Sequence, residues 1–169
     1  FQNECAAIRI DDQLCKQGKG ITLYSSFKQN LKGDKIYTVF EDSEGDEWIL
    51  TNKGISIIGK KQVDSDFPFQ YIKEADGIIY LVSQSDKLAS YNFKTRQFKF
   101  IEIPYHVSMI NEVKKFDSNT LLLATDNGLI IYKIKEKEFQ LIDIRTSTQP
   151  SNVVQSVYQD HYKELWIFP

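Results

Sequence analysis

At 169 residues the chain is long enough to bury one good hydrophobic core, and its 41% hydrophobic and 13% aromatic content are globular values. The 21 basic and 23 acidic residues leave a net charge of -2. That balance, with lysines scattered singly, argues against nucleic acid or an anionic membrane as a main partner, and no run of 18 apolar residues is present to span a bilayer.

Phe1-Gln2-Asn3-Glu4 lacks the pattern of a signal peptide and reads as the trimmed start of a mature or excised piece. Residues 5–27 form a partial blade, with strands expected at Ala6 to Ile10, Leu14 to Lys16 and Ile21 to Ser25. A hairpin turning at Asp11-Asp12 sets Cys15 opposite Ile8 to Ile10 and not opposite Cys5, which disfavours a disulfide. The first full blade spans 36–61; its IYTVFEDSEGDEWILTNKGISII is the best-formed stretch, where Ile36 to Glu41, Glu47 to Thr51 and Ile55 to Ile58 are separated by turns rich in Asp, Ser, Gly and Asn. Apolar strands between such turns are the signature of a meander. A second blade spans 69–103, with strands at Phe69 to Lys73, Ile78 to Ser83, Leu88 to Phe93 and Gln97 to Ile103, the last pair joined at Lys94-Thr95-Arg96. Pro104 stops that strand, and Tyr105 to Asn111 is read as a crossing. A third blade fills 112–144: Glu112 to Phe116, Thr120 to Thr125, Leu129 to Ile134 and Glu138 to Ile144. After the polar loop Arg145 to Asn152, a last partial blade occupies 153–169.

The central stretch recurs. With Trp48 as anchor, Leu14, Tyr80, Leu122 and Trp166 fall at the same place in their repeats, giving spacings of 34, 32, 42 and 44 residues along the chain. LLLATDNGLIIY lays Thr125 on Thr51 and Gly128 on Gly54, Gly77 closes the turn before Tyr80 as Gly45 does before Trp48, and Asp160 stands to Trp166 as Asp42 does to Trp48. All-strand repeats of this period are expected to be propeller blades.

An extended strand, Asp-x-x-Gly, a tryptophan strand and Thr-x-x-Gly-[Ile/Leu] together resemble the regulator-propeller repeat of the periplasmic sensor regions of bacterial hybrid two-component histidine kinases. Val39, Asp42, Gly45, Trp48, Thr51, Gly54 and Ile55 carry the likeness in the best copy, and Val157, Asp160, Leu165 and Trp166 in the last. Other copies depart from it: Phe116 and Asn119 stand where Asp and Gly are expected, and Ser83 replaces Thr. The resemblance implies an all-β propeller arc of about three and a half to four blades from a larger, seven-bladed type of ring. It also implies a periplasmic location, oligosaccharide ligands from glycan breakdown, dimerisation with a second copy, completion by the rest of the propeller, and a kinase domain outside these residues. Membrane contact would come only through segments outside the chain.

Candidate chemistry is sparse. Glu41, Asp42, Glu44, Asp46 and Glu47 crowd one turn without the spacing of a calcium loop, and are read as a hairpin tip with its acidic groups in water. Two cysteines and two separated histidines, His106 and His161, do not make a zinc site, and no nucleophile triad or phosphate-cradling loop is present. No catalytic residue, metal or cofactor is assigned. Trp48, Trp166, Phe40, Tyr80 and Phe116, one type of position per blade, are read as core rings between sheets. Because loops carry binding on a rigid scaffold, the ligand candidates are Tyr105, His106, Asn111, Arg145 and Gln149 in the crossings. A passive protein-interaction scaffold and a polysaccharide-acting enzyme are the alternatives.

Overall fold

The computed structural model describes residues 31–60, 63, 65–75, 77–83, 85–92, 95, 97–162 and 164–169, together with the backbone of 6–10 and 21–25. Among these residues it is all-β, with fifteen strands and no helix. The expected strand at Leu14 to Lys16, both cysteines, and Asp76, Phe93, Lys94 and Arg96 of the expected turns lie outside the described residues. The chain divides into two compact units, Phe1–Gln70 and Tyr71–Pro169.

In the first unit β1 (Ala6–Ile10) pairs antiparallel with β2 (Ile21–Ser25), Ile10 opposite Ile21. β3 (Ile36–Glu41), β4 (Glu47–Thr51) and β5 (Gly54–Ile58) form a three-stranded meander within one residue of the predicted limits. Its turns are fixed by side chains. The Asp42 carboxylate accepts the backbone N–H groups of Glu44 (2.9 Å) and Asp46 (3.1 Å) with one oxygen and the Trp48 indole N–H (2.8 Å) with the other. Asp46 in turn accepts the Lys60 N–H at 2.8 Å. Both aspartates are therefore buried, against the expectation of solvated carboxylates, because turn amides and an indole replace water as their donors.

The second unit holds two four-stranded antiparallel sheets and a two-stranded one. β6 (Tyr71–Ala75), β7 (Ile78–Val82), β8 (Leu88–Asn92) and β9 (Gln97–Ile101) make the first; β10 (Ile110–Asp117), β11 (Thr120–Thr125), β12 (Gly128–Lys133) and β13 (Glu138–Ile142) the second. β14 (Ser156–Gln159) and β15 (Leu165–Phe168) make the third. Strand order equals chain order in every sheet, which is the connectivity of a propeller blade. β11 explains how blades stack. Every residue of TLLLAT is buried, because Leu121 and Leu123 enter the core shared with the β6–β9 sheet while Leu122 and Ala124 enter the core shared with β14 and β15. A strand covered on both faces reads as a continuous apolar run instead of an alternation.

Within the second unit the anchors Tyr80 and Leu122 obey the same geometry, and the last does not. Tyr80 faces β10–β13, and Leu122 faces β14–β15. Trp166, expected in a core, is 53% exposed. Val157 and Ile167, paired across the last hairpin, turn toward the β10–β13 sheet, so the next pair, Tyr158 and Trp166, faces the other way into solvent. Phe40 and Phe116 are only half-buried.

Candidate functional site

The Thr-x-x-Gly motif builds the loop face. In β11–β12 the Thr125 hydroxyl donates to the Gly128 carbonyl (2.7 Å) and accepts the Asn127 N–H (3.1 Å), and in β4–β5 Thr51 makes the matching bonds with Gly54 (2.9 Å) and Lys53 (3.2 Å). Both threonines are fully buried. Gly128 takes φ of 101°, a left-handed value that disfavours side chains, and a Cβ there would stand 2.6 Å from the Ile142 carbonyl oxygen. The tip is thus fixed from within and presents Asp126 and Asn127 outward.

Two connections are bolted onto this tip. From the crossing before β10, the Ser108 N–H donates to the Asp126 carboxylate (3.1 Å), and the His106 carbonyl accepts from the Asn127 amide (2.9 Å). From the loop after β13, the Asn152 amide donates to the Asn127 side-chain oxygen (3.0 Å), the Ile144 N–H donates to the Asn152 side-chain oxygen (2.9 Å), and the Gly128 N–H donates to the Asn152 carbonyl (2.6 Å). The incoming crossing, the tip and the outgoing loop therefore form one hydrogen-bonded polar surface. The first unit repeats part of the plan: the Asn52 side-chain oxygen accepts the N–H groups of Asp34 (3.2 Å) and Lys35 (3.1 Å), and the Asn52 amide donates to Asp34 (2.7 Å).

Of the five candidate ligand residues, the structure brings His106 and Arg145 to this surface. The His106 side chain is exposed. Arg145, one residue beyond the Ile144 that Asn152 holds, is exposed and forks its guanidinium onto Asp143, with Nε 2.9 and 3.0 Å from the two carboxylate oxygens and Nη2 on one of them. That hydrogen bonding pulls the Asp143 carboxyl down to about 2 and holds Arg145 above its ordinary value. Gln149 closes a small turn with Thr146 through its backbone, at 2.8 and 2.9 Å. Tyr105 points elsewhere, donating its hydroxyl to the Phe139 carbonyl on β13 (3.1 Å).

Asn111 corrects the assignment of Tyr105 to Asn111 as a crossing: it lies inside β10. The register shifts between Ile110 and Glu112, leaving Asn111 as a bulge residue that pairs with nothing in β11. Its carbonyl accepts the Tyr71 hydroxyl (2.6 Å) and its amide donates to the Val154 carbonyl (2.8 Å), so it ties β6, β10 and the lead-in to β14 together. Sequence reasoning missed Asn127 and Asn152. What the two hairpins share is the residue after the Thr, since Asn52 and Asp126 each accept N–H groups of the incoming connection; Asn127 has no such counterpart in Lys53.

Among the described residues no cluster of His, Cys, Asp and Glu is arranged to hold a metal ion. No protein-family profile matches the sequence, and no curated protein matches it significantly. Solved structures do match. The extracellular domain of the candidate hybrid two component system BT3049 from B. thetaiotaomicron superposes with a TM-score of 0.69 at 22% identity, over 96% of this chain and 23% of that one. The corresponding domain of BT4673 from the same organism gives 0.66 at 18%, over 90% and 22%. Virginiamycin B lyase from Staphylococcus aureus gives 0.68 at 17%, over 94% of this chain and 54% of the lyase. The chain spans less than a quarter of the length of the two sensor domains. At such identities the likeness is one of fold, and the chain is an all-β assembly of propeller-type blades like those of these extracellular domains.

Proposed function

We propose that this chain is a non-catalytic, extracytoplasmic ligand-sensing segment of a hybrid two-component sensor kinase, located in the periplasm. Its ligands would be oligosaccharides released from glycan breakdown, and its output a transcriptional response through domains outside these residues. The observation that carries the reading is the bolted loop face, where exposed His106 and the Arg145–Asp143 pair stand on a surface locked by Asn127 and Asn152. Preformed polar loops on a rigid scaffold bind without a large ordering cost. Likeness of the blades to sensor extracellular domains supports the reading, while the same fold in a lyase shows that fold alone does not choose a function.

The rest of a propeller, and a second copy of the chain in a signalling dimer, are the proposed partners. The exposed face of β14–β15 supports the first, because the same face of each preceding blade in the second unit is covered by the blade that follows. Ligand would switch the kinase through unequal affinity for two dimer geometries. Among the described residues no helix is long and apolar enough to cross a membrane. Attachment through segments outside these residues is part of the same proposal.

Thermal unfolding of the full extracytoplasmic protein, screened against an oligosaccharide panel, tests this. A ligand at about 100 times its dissociation constant adds about 2.7 kcal/mol and raises the melting temperature by a few degrees. A shift with one glycan class that Arg145→Ala and His106→Ala reduce supports the sensor; no shift with any sugar moves the assignment to a protein-interaction scaffold, and turnover of a sugar to an enzyme.

A further inference from the structure

The geometry points to a second binding site, for a small organic anion with an apolar body, in the cleft between the β6–β9 and β10–β13 sheets. This site lies at the opposite end of β12 from the loop face and does not depend on it. The cleft encloses about 430 Å³, within the range of small-molecule pockets. Ile78 and Tyr80 of β7 floor it on one side, and Tyr132 and Ile134 on the other.

Three lysines stand at its rim. Lys99 lies in the cross-strand row that runs from Tyr80 through Ser90 to β9, and Lys135 and Lys137 are on the β12–β13 hairpin loop. Glu102 is the one carboxylate of the lining. Among the described residues none of the three ammonium groups has a carboxylate within salt-bridge distance. The neighbouring Glu136 accepts from the Asn119 amide at 2.9 Å, and its carboxyl is held below the ordinary value by that bond first and, more weakly, by the charges of Lys133 and Lys135. The cleft mouth therefore carries three ammonium groups against one lining carboxylate, Glu102, and the adjoining Glu136, over an apolar floor.

Two further groups border the cleft. Tyr132 is 3% exposed and lines the cleft, and no side-chain polar atom buried from water lacks a hydrogen-bond partner among the described residues, so its hydroxyl, which bonds to no protein group there, is open to the cleft's solvent. Burial holds its phenol above the ordinary value, so it stays protonated and able to donate. Lys137 has φ of 58°, the one non-glycine residue of the described chain in the left-handed region. It closes the four-residue hairpin loop between the paired Lys133 and Glu138, a turn position that Gly or Asn would take with less strain. A carboxylate, sulfate or sulfonate at the mouth would be met by the lysines and the Tyr132 hydroxyl, while an aryl or aliphatic body covers the isoleucines. The near-absence of amide and carboxylate side chains in the lining makes it a poor site for a neutral sugar.

Naphthalene-2-sulfonate and its neutral isostere naphthalene-2-sulfonamide, titrated into the 169-residue chain by calorimetry and by NMR, test the assignment. The sulfonate is expected to bind with a dissociation constant on the order of 1 mM, and the sulfonamide at least about fivefold more weakly. Lys99→Gln, Lys135→Gln and Tyr132→Phe should each weaken the sulfonate about two- to fivefold. Lys137→Gly is the sharpest variant, because relief of the left-handed backbone keeps the melting temperature level or higher while affinity falls. Shifts should centre on Tyr132 and Ile134. Absence of binding at about 10 mM, equal affinity for the two probes, affinity unchanged by Lys137→Gly with Lys135→Gln, or shifts centred on Asn127 would each overturn the site.

Discussion

The hairpin carrying Asp42 and Trp48 and the hairpin carrying Asp160 and Trp166 make the same hydrogen bonds in different surroundings. Asp160 accepts the N–H groups of Tyr162 (2.9 Å) and Glu164 (3.0 Å) with one oxygen and the Trp166 indole (3.1 Å) with the other, reproducing the Asp42 clasp contact for contact. Trp48 is fully buried, whereas Trp166 is 53% exposed. Local geometry therefore follows from the Asp and Trp six residues apart and needs no burial to form. What burial adds is energy.

The largest contrast should come from the rings. Trp48→Ala is expected to cost about 3–5 kcal/mol, while Trp166→Ala stays within about 1 kcal/mol, measured by denaturant unfolding of the two variants side by side. Equal losses would mean that the exposed ring is covered in solution, as a docked blade would cover it. Indole hydrogen exchange gives an independent reading: the Trp48 N–H should be protected and the Trp166 N–H should exchange fast.

Removal of the carboxylate should rank next. Asp42→Ala strands two backbone amides and an indole N–H around a buried position and should cost about 2–4 kcal/mol. Asp160→Ala strands the same groups where water replaces the lost acceptor, so its effect should be clearly smaller. A smaller effect again is expected from the threonine clasp. Thr51→Val and Thr125→Val each remove a buried hydroxyl that donates to a glycine carbonyl and accepts a turn N–H, at a cost of about 1–2 kcal/mol apiece. Because both threonines are fully buried, these two losses should match, unlike the Asp pair.

These pairs also show what the sequence could reveal. Strand limits in the β3–β5 meander were legible to within a residue because Asp-x-x-Gly and Thr-x-x-Gly mark turns with their own side chains. The β10 bulge was not legible: nothing in Ile110-Asn111-Glu112 distinguishes a loop end from an extra strand residue, and the groups that hold Asn111, the Tyr71 hydroxyl and the Val154 carbonyl, lie 40 and 43 residues away. The burial of Asp42 and Asp46 was hidden because charge suggests water, and their donors are backbone amides that composition does not display. Exposure of Trp166 was hidden because the repeat fixes which face a ring occupies, not whether a neighbour covers it. The loop face was half legible. His106 and Arg145 follow from loop position, whereas Asn127 and Asn152 matter through a mutual hydrogen bond between residues 25 apart.

The smallest effect is the most specific. Hydrogen bonding from the Trp166 indole, with the Glu164 and Tyr162 amides, lowers the Asp160 carboxyl below its ordinary value of 3.8. A carboxyl lowered in the folded state stabilises the fold fully above its unfolded value, and the contribution is lost as pH falls through the folded value. The Trp166 indole proton should therefore hold its NMR position from neutral pH down past about 4, and move only in more acid solution as Asp160 takes up a proton. Trp166→Phe removes the largest cause of the shift, so the Asp160 carboxyl should titrate closer to an ordinary aspartate when followed by its own carbon resonance. A Trp166 indole that moved at or above the ordinary value would mean that the clasp at the exposed hairpin is open in solution, and that burial, after all, is needed to close it.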